Sequence, residues 1–298
     1  MNGASGTLAH VTTTPPDTSL SGRVALITGA NTGIGLVTAR ELAARGAHVF
    51  IACRSAERAR AAIATMPVHT GAPSPEVLTL DLGDFASVRR CAEAFLARGL
   101  PLHLLVNNGG LAGARGLTAS GFELAFGVNH MGHFLLTQLL QPCLRASAPA
   151  RIVTVASRAH YRASGIDWAG VRRHTASLTG FPEYGVSKLA NVLFSAELGR
   201  RLAGSGVTTY ALHPGVVATD IWRRVPWPLS ALMKMRMISP EEGARTTLHC
   251  ASAPELAHES GLYYDRCQAR TPSPAAQDTA LAAQLWQRSE DWVRTTAA

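Results

Sequence analysis

Val24-Ala25-Leu26-Ile27-Thr28-Gly29-Ala30-Asn31-Thr32-Gly33-Ile34-Gly35 is the stretch that decides the fold. Four apolar residues in a row read as a buried strand. The strand opens into a glycine-rich turn, and Gly33 to Arg45 then follows with helical spacing and stops at Gly46, a C-terminal helix signal. Glycines between a strand and a helix let backbone approach a diphosphate, whose charge the helix N-terminus stabilises. The spacing is Gly-x-x-x-Gly-x-Gly rather than the commoner Gly-x-Gly-x-x-Gly. Gly29, Asn31, Thr32, Gly33, Ile34 and Gly35 are the candidate cradle.

The same alternation runs on. Strands are expected at Ala47 to Ala52, Val77 to Leu80, Leu102 to Val106, Arg151 to Ala156, Val207 to Leu212 and Gly261 to Tyr264. Helices are expected at Ser55 to Met66, from Asp84 to Arg98, and at Phe122 to Leu144, Tyr184 to Leu202 and Glu241 to Ala251. Strands alternating with helices imply right-handed parallel crossovers, hence an α/β fold built as a Rossmann-type doubly wound parallel sheet. No composition break divides the chain, so residues 21–298 read as a single domain. Residues 1–20 are small and polar and read as a flexible N-terminal tail.

The chain of 298 residues is 47% hydrophobic and 16% charged, with a formal net charge of +8. That balance admits an anionic ligand. The arginines are scattered in pairs such as Arg89-Arg90 and Arg172-Arg173, with no long basic run and no interleaved aromatic platform, which argues against nucleic acid. Five widely spaced cysteines contain no Cys-x-x-Cys pair, against both zinc and a disulfide framework. Reduced thiols fit a cytoplasmic protein. No run of ~18 apolar residues predicts a transmembrane segment.

The carboxyl ends of parallel strands form the ligand crevice, and most of the remaining candidates fall there. Arg54 ends the second strand where an acidic residue would bind a ribose 2′-hydroxyl; an arginine accommodates a 2′-phosphate, favouring NADP(H) over NAD(H). Asp81-Leu82 ends the third strand, Asp81 being either an adenine ligand or a plain helix cap. Asn107-Asn108-Gly109-Gly110 ends the fourth, with Asn107 and Gly109 as candidate floor of the cofactor site. Ser157 closes the fifth, where a hydroxyl can donate to a carbonyl oxygen; no Gly-x-Ser-x-Gly elbow marks it as a nucleophile. Tyr184 and Lys188 share one helix face at i and i+4, so an ammonium can favour the phenolate. After the sixth strand, Pro214, Gly215, Val217 and Thr219 are placed to cover the nicotinamide end. Asn129 lies within an apolar helix, where it must be hydrogen-bonded. His130 and His133 are spaced i, i+3 without an acidic partner, so no metal is expected.

Thr28-Gly29-(three)-Gly33-Ile34-Gly35, Asn107-Asn108-Gly109-Gly110, Asn129, Ser157, Tyr184-(three)-Lys188 and Pro214-Gly215 together resemble the short-chain dehydrogenase/reductase family, in order, from Ser21 to about Tyr264. Ala52-Cys53-Arg54-Ser55, Val128-Asn129-His130-Met131-Gly132-His133-Phe134 and Ser187-Lys188-Leu189-Ala190-Asn191 are similar to the retinol-dehydrogenase-like branch. The resemblance implies catalytic roles for Asn129, Ser157, Tyr184 and Lys188. Tyr184 exchanges the proton, Ser157 holds the substrate oxygen, Lys188 lowers the tyrosine pKa and binds the nicotinamide ribose, and Asn129 holds a relay water. It also implies NADP(H), a lipophilic alcohol or carbonyl and a homo-oligomer. Gly109 stands where the family usually has alanine, a change expected to loosen the cofactor floor.

Two segments are expected to cover the substrate as lids. One is the insertion near 158–183. The other, near 221–239, carries Trp222, Trp227 and Met233 and reads alternatively as a dimer contact or a membrane-surface patch. Tyr161, Trp168 and Phe181 are candidates for the opposite wall. The expected reaction interconverts a bulky hydrophobic alcohol with its ketone or aldehyde. Epimerisation, conjugated-alkene reduction and a non-catalytic NADP-binding sensor remain open alternatives.

Overall fold

The computed structural model describes residues 20–66, 71, 73–216 and 238–295. The expected N-terminal tail, Val217, Thr219 and nearly all of the 221–239 segment lie outside the described residues. Side chains along β1 (Val24–Thr28) point alternately to the two faces of the sheet, which explains the layering. Val24 and Leu26 enter one core with Phe50 and the helices of one face, while Ala25 and Ile27 enter the other. Both faces are covered, so β1 is buried at every position.

Among the described residues seven strands are parallel: β1, β2 (His48–Cys53), β3 (Glu76–Thr79), β4 (Leu104–Asn107), β5 (Ala150–Val155), β6 (Val207–His213) and β7 (Leu262–Asp265). β8 (Gln268–Ala269) returns antiparallel through Arg266 and Cys267, both at positive φ, the backbone of a tight hairpin. The spatial order is β3-β2-β1-β4-β5-β6-β7-β8. Order therefore reverses between β1 and β4, the switch point where doubly wound sheets bind ligands.

Helices α1 (Gly33–Ala44), α2 (Ala56–Ile63) and α6 (Pro240–Ser252) pack on one face. Helices α3 (Phe85–Leu96), α4 (Gly132–Ala146), α5 (Phe181–Arg201) and α7 (Thr279–Thr295) cover the other. α7 was not expected. It lays Leu285, Trp286, Ser289 and Val293 onto the helices bearing the site, with Trp286 stacked 6.0 Å from Phe194 and Arg201 over its ring at 4.4 Å. The single helix expected over Phe122 to Leu144 is interrupted: a turn at Leu124–Phe126 is followed by a π-helical turn, Gly127–Met131, before α4 begins. Such bulges carry one extra residue per turn and are frequent at functional sites.

Candidate active site

The glycine turn is shaped by backbone packing. Gly29 sits at φ 65 and Gly33 at φ 57, conformations that suit glycine. A Cβ on Gly29 would lie 2.7 Å from Gly109 Cα, so the turn after β1 rests directly on the loop after β4. Gly109 does not loosen this floor as expected. A Cβ there would come 2.8 Å from Leu82 Cδ1 and 3.3 Å from Thr28 Oγ1, so glycine keeps the two loops in contact. Thr28 Oγ1 accepts from Asn108 N at 2.9 Å and Gly109 N at 2.8 Å, and pairs with His133 Nε2 at 2.8 Å. His133 Nδ1 lies 2.9 Å from Asn129 O. The imidazole thus links the turn to the π-helical segment, and burial pushes its pKa down to about 4, keeping it neutral.

Around the mouth of the turn, Thr32 makes no side-chain cap on α1, and no acidic residue sits in that helix's first turn. Arg54 and Arg58, past the end of β2, are exposed, and Ser55 caps α2 through Arg58 N at 3.2 Å. Asp84 caps α3, and Asp81 instead accepts from Gly83 N at 2.9 Å, holding Leu82 beneath the floor. Asn107 is buried; its amide donates to Thr137 Oγ1 at 3.0 Å, and its Oδ1 has no partner.

β5, β4 and α5 bring the remaining groups together. Ser157 follows β5, its Oγ accepting from Ala159 N at 3.1 Å, and its side chain lies near enough to the Tyr184 phenol on α5 to affect that group's titration. Burial pushes that phenol above its ordinary value, and the Ser157 side chain pulls it down. Lys188 is 4% exposed, and burial lowers its pKa to about 7. Its Nζ lies 5.7 Å from the Tyr184 ring centroid and donates to Val155 O at 2.8 Å. The Lys188 ammonium is thus directed at the Val155 carbonyl, with the Tyr184 ring beside it. Asn191, one turn on, donates to the same carbonyl at 3.2 Å.

The Asn129 side chain is fully engaged in hydrogen bonds. Its Oδ1 accepts from Leu111 N at 2.9 Å, and its Nδ2 donates to Leu111 O at 3.0 Å and Ser187 Oγ at 2.9 Å. Ser187 Oγ in turn donates to Tyr184 O at 2.8 Å. The side chain therefore pins the β4 loop to the tyrosine helix. Pro214 and Gly215 follow β6, and Gly215 (φ 93) packs on Ile238.

The 158–183 insertion is stapled down. Glu123, 2% exposed, accepts from Thr175 Oγ1 at 2.5 Å, and Glu123 N donates to Val171 O at 2.9 Å. Glu183 accepts from Ser177 N at 2.7 Å and Ala176 N at 3.1 Å. Phe181 packs against Gly113 of the β4 loop, beside the site. Trp168 does not line the opposite wall. It packs on Trp292 of α7 at 6.4 Å and holds Arg288 over its ring at 4.9 Å. Tyr161 Oη donates to Thr271 O at 2.6 Å. His130 sits among Phe126, Phe134 and Phe194, with Nε2 3.2 Å from Ser289 Oγ of α7. Among the described residues, no three His, Cys, Asp or Glu side chains gather as a metal site needs, and no helix is long and apolar enough to cross a membrane.

The short chain dehydrogenase family model matches residues 23–227. Retinol dehydrogenase 12 of Homo sapiens is 47% identical over 275 residues, covering 90% of this chain and 85% of that protein. Retinol dehydrogenase 11 of Homo sapiens is 43% identical, covering 91% and 86%. Among solved structures, an uncharacterized protein from Mycobacterium Paratuberculosis is 37% identical with a TM-score of 0.74, over 92% of this chain and 94% of that one. The Pseudomonas aeruginosa RhlG/NADP active-site complex is 29% identical with a TM-score of 0.68, over 84% and 96%. With the switch-point crevice and the serine–tyrosine pair in view, the chain belongs to the short-chain dehydrogenase/reductase family of oxidoreductases, in its retinol-dehydrogenase-like branch.

Proposed function

We propose that this protein is an NADP(H)-dependent oxidoreductase interconverting a bulky hydrophobic alcohol and its ketone or aldehyde. One observation carries the reading: the Ser157 hydroxyl, the Tyr184 phenol and the buried Lys188 ammonium stand together at the carboxyl end of β5, with Lys188 against Gly110 of the loop after β4.

The residues fit a dinucleotide. The turn of Gly29, Asn31, Thr32, Gly33, Ile34 and Gly35, with the uncapped start of α1, suits a diphosphate. Arg54 is the residue for a 2′-phosphate, and the 29% identical relative described as an NADP complex supports that choice. Asp81 and Leu82 border the adenine side. Asn107 with its free Oδ1, Gly109, Lys188, Pro214 and Gly215 border the nicotinamide side. When bound, the nicotinamide group supplies or accepts the hydride.

The chain's own groups handle the proton. In reduction, Tyr184 Oη gives its proton to the oxygen that becomes the alcohol; in oxidation it removes the hydroxyl proton. Ser157 Oγ donates to the same oxygen and so fixes its position. Burial disfavours the phenolate left on Tyr184, and a protonated Lys188 one helical turn away offsets that penalty. Since Lys188 titrates near neutrality, it can also pass a proton onward. Asn129 positions both partners through Leu111 and Ser187.

A lipophilic substrate is supported by the retinol dehydrogenase relatives, which are named for a lipophilic alcohol. A cytoplasmic location is supported by five free cysteines. The test is NADPH oxidation with all-trans-retinal, decanal and aromatic ketones against acetaldehyde. Turnover rising with apolar size supports the reading; none with any carbonyl, or a preference for acetaldehyde, contradicts it.

A further inference from the structure

We propose that His160 and His213 are positioning residues that clamp the Ser157–Arg158 peptide from opposite sides and thereby fix the direction of the Ser157 hydroxyl; this rests on the role given to Ser157 above. The carbonyl of that peptide accepts from His160 Nδ1 at 2.6 Å and from His160 N at 3.1 Å. Its N–H, at Arg158, donates to His213 Nδ1 at 3.3 Å. His213 ends β6, the neighbour of β5, so the sheet itself delivers this ring.

The partners dictate the tautomers. His160 Nε2 faces Ser273 N at 3.1 Å, and a backbone N–H only donates, so Nε2 is bare and Nδ1 carries the proton toward Ser157 O. His213 Nδ1 likewise accepts, which puts its proton on Nε2. Each ring must be neutral, and the two hold opposite tautomers. A second proton on either would turn an accepting nitrogen into a donor aimed at an N–H.

The surroundings keep both neutral. His160 is 0% exposed and His213 5%. His160 stacks on Tyr161 at 4.1 Å and meets Tyr263 edge-on at 4.8 Å. Around His213 stand Asp265, which favours a cation, and Arg158, His160 and Arg266, which oppose it. Arg158 also occupies Asp265 directly, at 2.6 Å. Burial dominates for both rings and brings His213 down to about 4. The clamp is thus closed at neutral pH.

Its consequence falls on Ser157, which is extended (φ −169, ψ 155), its Oγ accepting from Ala159 N at 3.1 Å and its side chain near the Tyr184 phenol. Rotating the next peptide plane changes ψ of Ser157, moves Ala159 N and turns the hydroxyl off the phenol. His160 extends the same brace to Ser273, ahead of α7.

Isotope-labelled histidine NMR tests the clamp without any substrate. At neutral pH His160 should be the Nδ1–H tautomer and His213 the Nε2–H tautomer; the opposite form on either ring overturns the proposal. Kinetics with NADPH and decanal test its consequence. His160→Phe and His213→Leu should lower kcat by ~10- to 100-fold, the scale of a small misplacement. KM and the NADPH Kd should stay within about twofold. His160→Asn restores the donor and His213→Asn the acceptor, and both should recover most of kcat; at either position, an Asn variant as impaired as the Phe or Leu variant there, at comparable melting temperature, overturns the proposal. In a Ser157→Ala background, His213→Leu should add nothing. Unchanged kcat in the His variants while Ser157→Ala is crippled refutes the clamp and leaves the site reading standing. Full turnover by Ser157→Ala removes both.

Discussion

Gly35→Ala should reverse the usual sign of a glycine replacement in a helix. Alanine ordinarily stabilises a helix interior by up to ~1 kcal/mol over glycine. At this position, however, an added Cβ would lie 2.5 Å from Asn108 Nδ2, 2.7 Å from Gly29 O and 2.9 Å from Ala30 Cα. Two of these are backbone atoms of the cofactor turn. The third belongs to a side chain donating at 2.8 Å to Thr28 O. Relief requires the turn after β1 to part from the loop after β4. Overpacking of this kind costs ~1–3 kcal/mol, and loosening the Asn108 hydrogen bond adds ~0.5–1.5 kcal/mol. After subtracting helix propensity the net loss is about 2 kcal/mol, or ~4–8 °C in Tm for a chain of this size. The same shift should weaken NADPH binding by ~10-fold, about 1.4 kcal/mol. Circular dichroism melting with and without NADPH, plus a fluorescence titration, reads both. A variant that melts at or above wild type with unchanged NADPH affinity would show that the turn is not packed as described.

Trp286→Ala should remove ~3–5 kcal/mol, as large core truncations do, because its ring fills the space between Phe134, Phe194 and Arg201; a loss under ~1 kcal/mol in urea unfolding refutes that packing. The fold holds His133 and His213 neutral, both with pKa lowered to about 4, so between pH ~6.5 and ~4 the unfolded chain binds more protons. Stability should therefore fall as pH drops through that window, by up to ~3 kcal/mol per ring. A urea midpoint that stays flat from about pH 7 to about pH 4.5 contradicts this. Arg54→Asp should shift the ratio of kcat/KM for NADPH over NADH toward NADH; an unchanged ratio removes Arg54 from phosphate recognition.

The parallel sheet was legible because each strand is a short apolar run followed by a helix-period segment, and the glycine turn marks where β1 hands over to α1. The serine, tyrosine and lysine were legible because they end a strand or repeat at helical spacing. What escaped was long-range. α7 has buried positions at Ala282, Leu285, Trp286, Ser289 and Val293, a helical pattern opened by Asp278, whose carboxylate accepts from Ala280 N and Leu281 N at 2.9 Å each. That signal was available and unread. Trp168 was misassigned because aromaticity does not say which neighbour a ring meets, and here it meets a helix more than a hundred residues away. The π-helical turn at Asn129 and the carbonyl that holds Lys188 have no local signature. Neither do His160 and His213, which become a pair only because β5 and β6 are adjacent and share one peptide between them.

The most direct measurement is the turnover of Tyr184→Phe with NADPH and a hydrophobic aldehyde, set beside its NADPH affinity. On the proposed reading the Tyr184 phenol moves the proton at the substrate oxygen. The account therefore predicts an NADPH Kd close to wild type and turnover reduced at least ~100-fold. Turnover within a few-fold of wild type would contradict it.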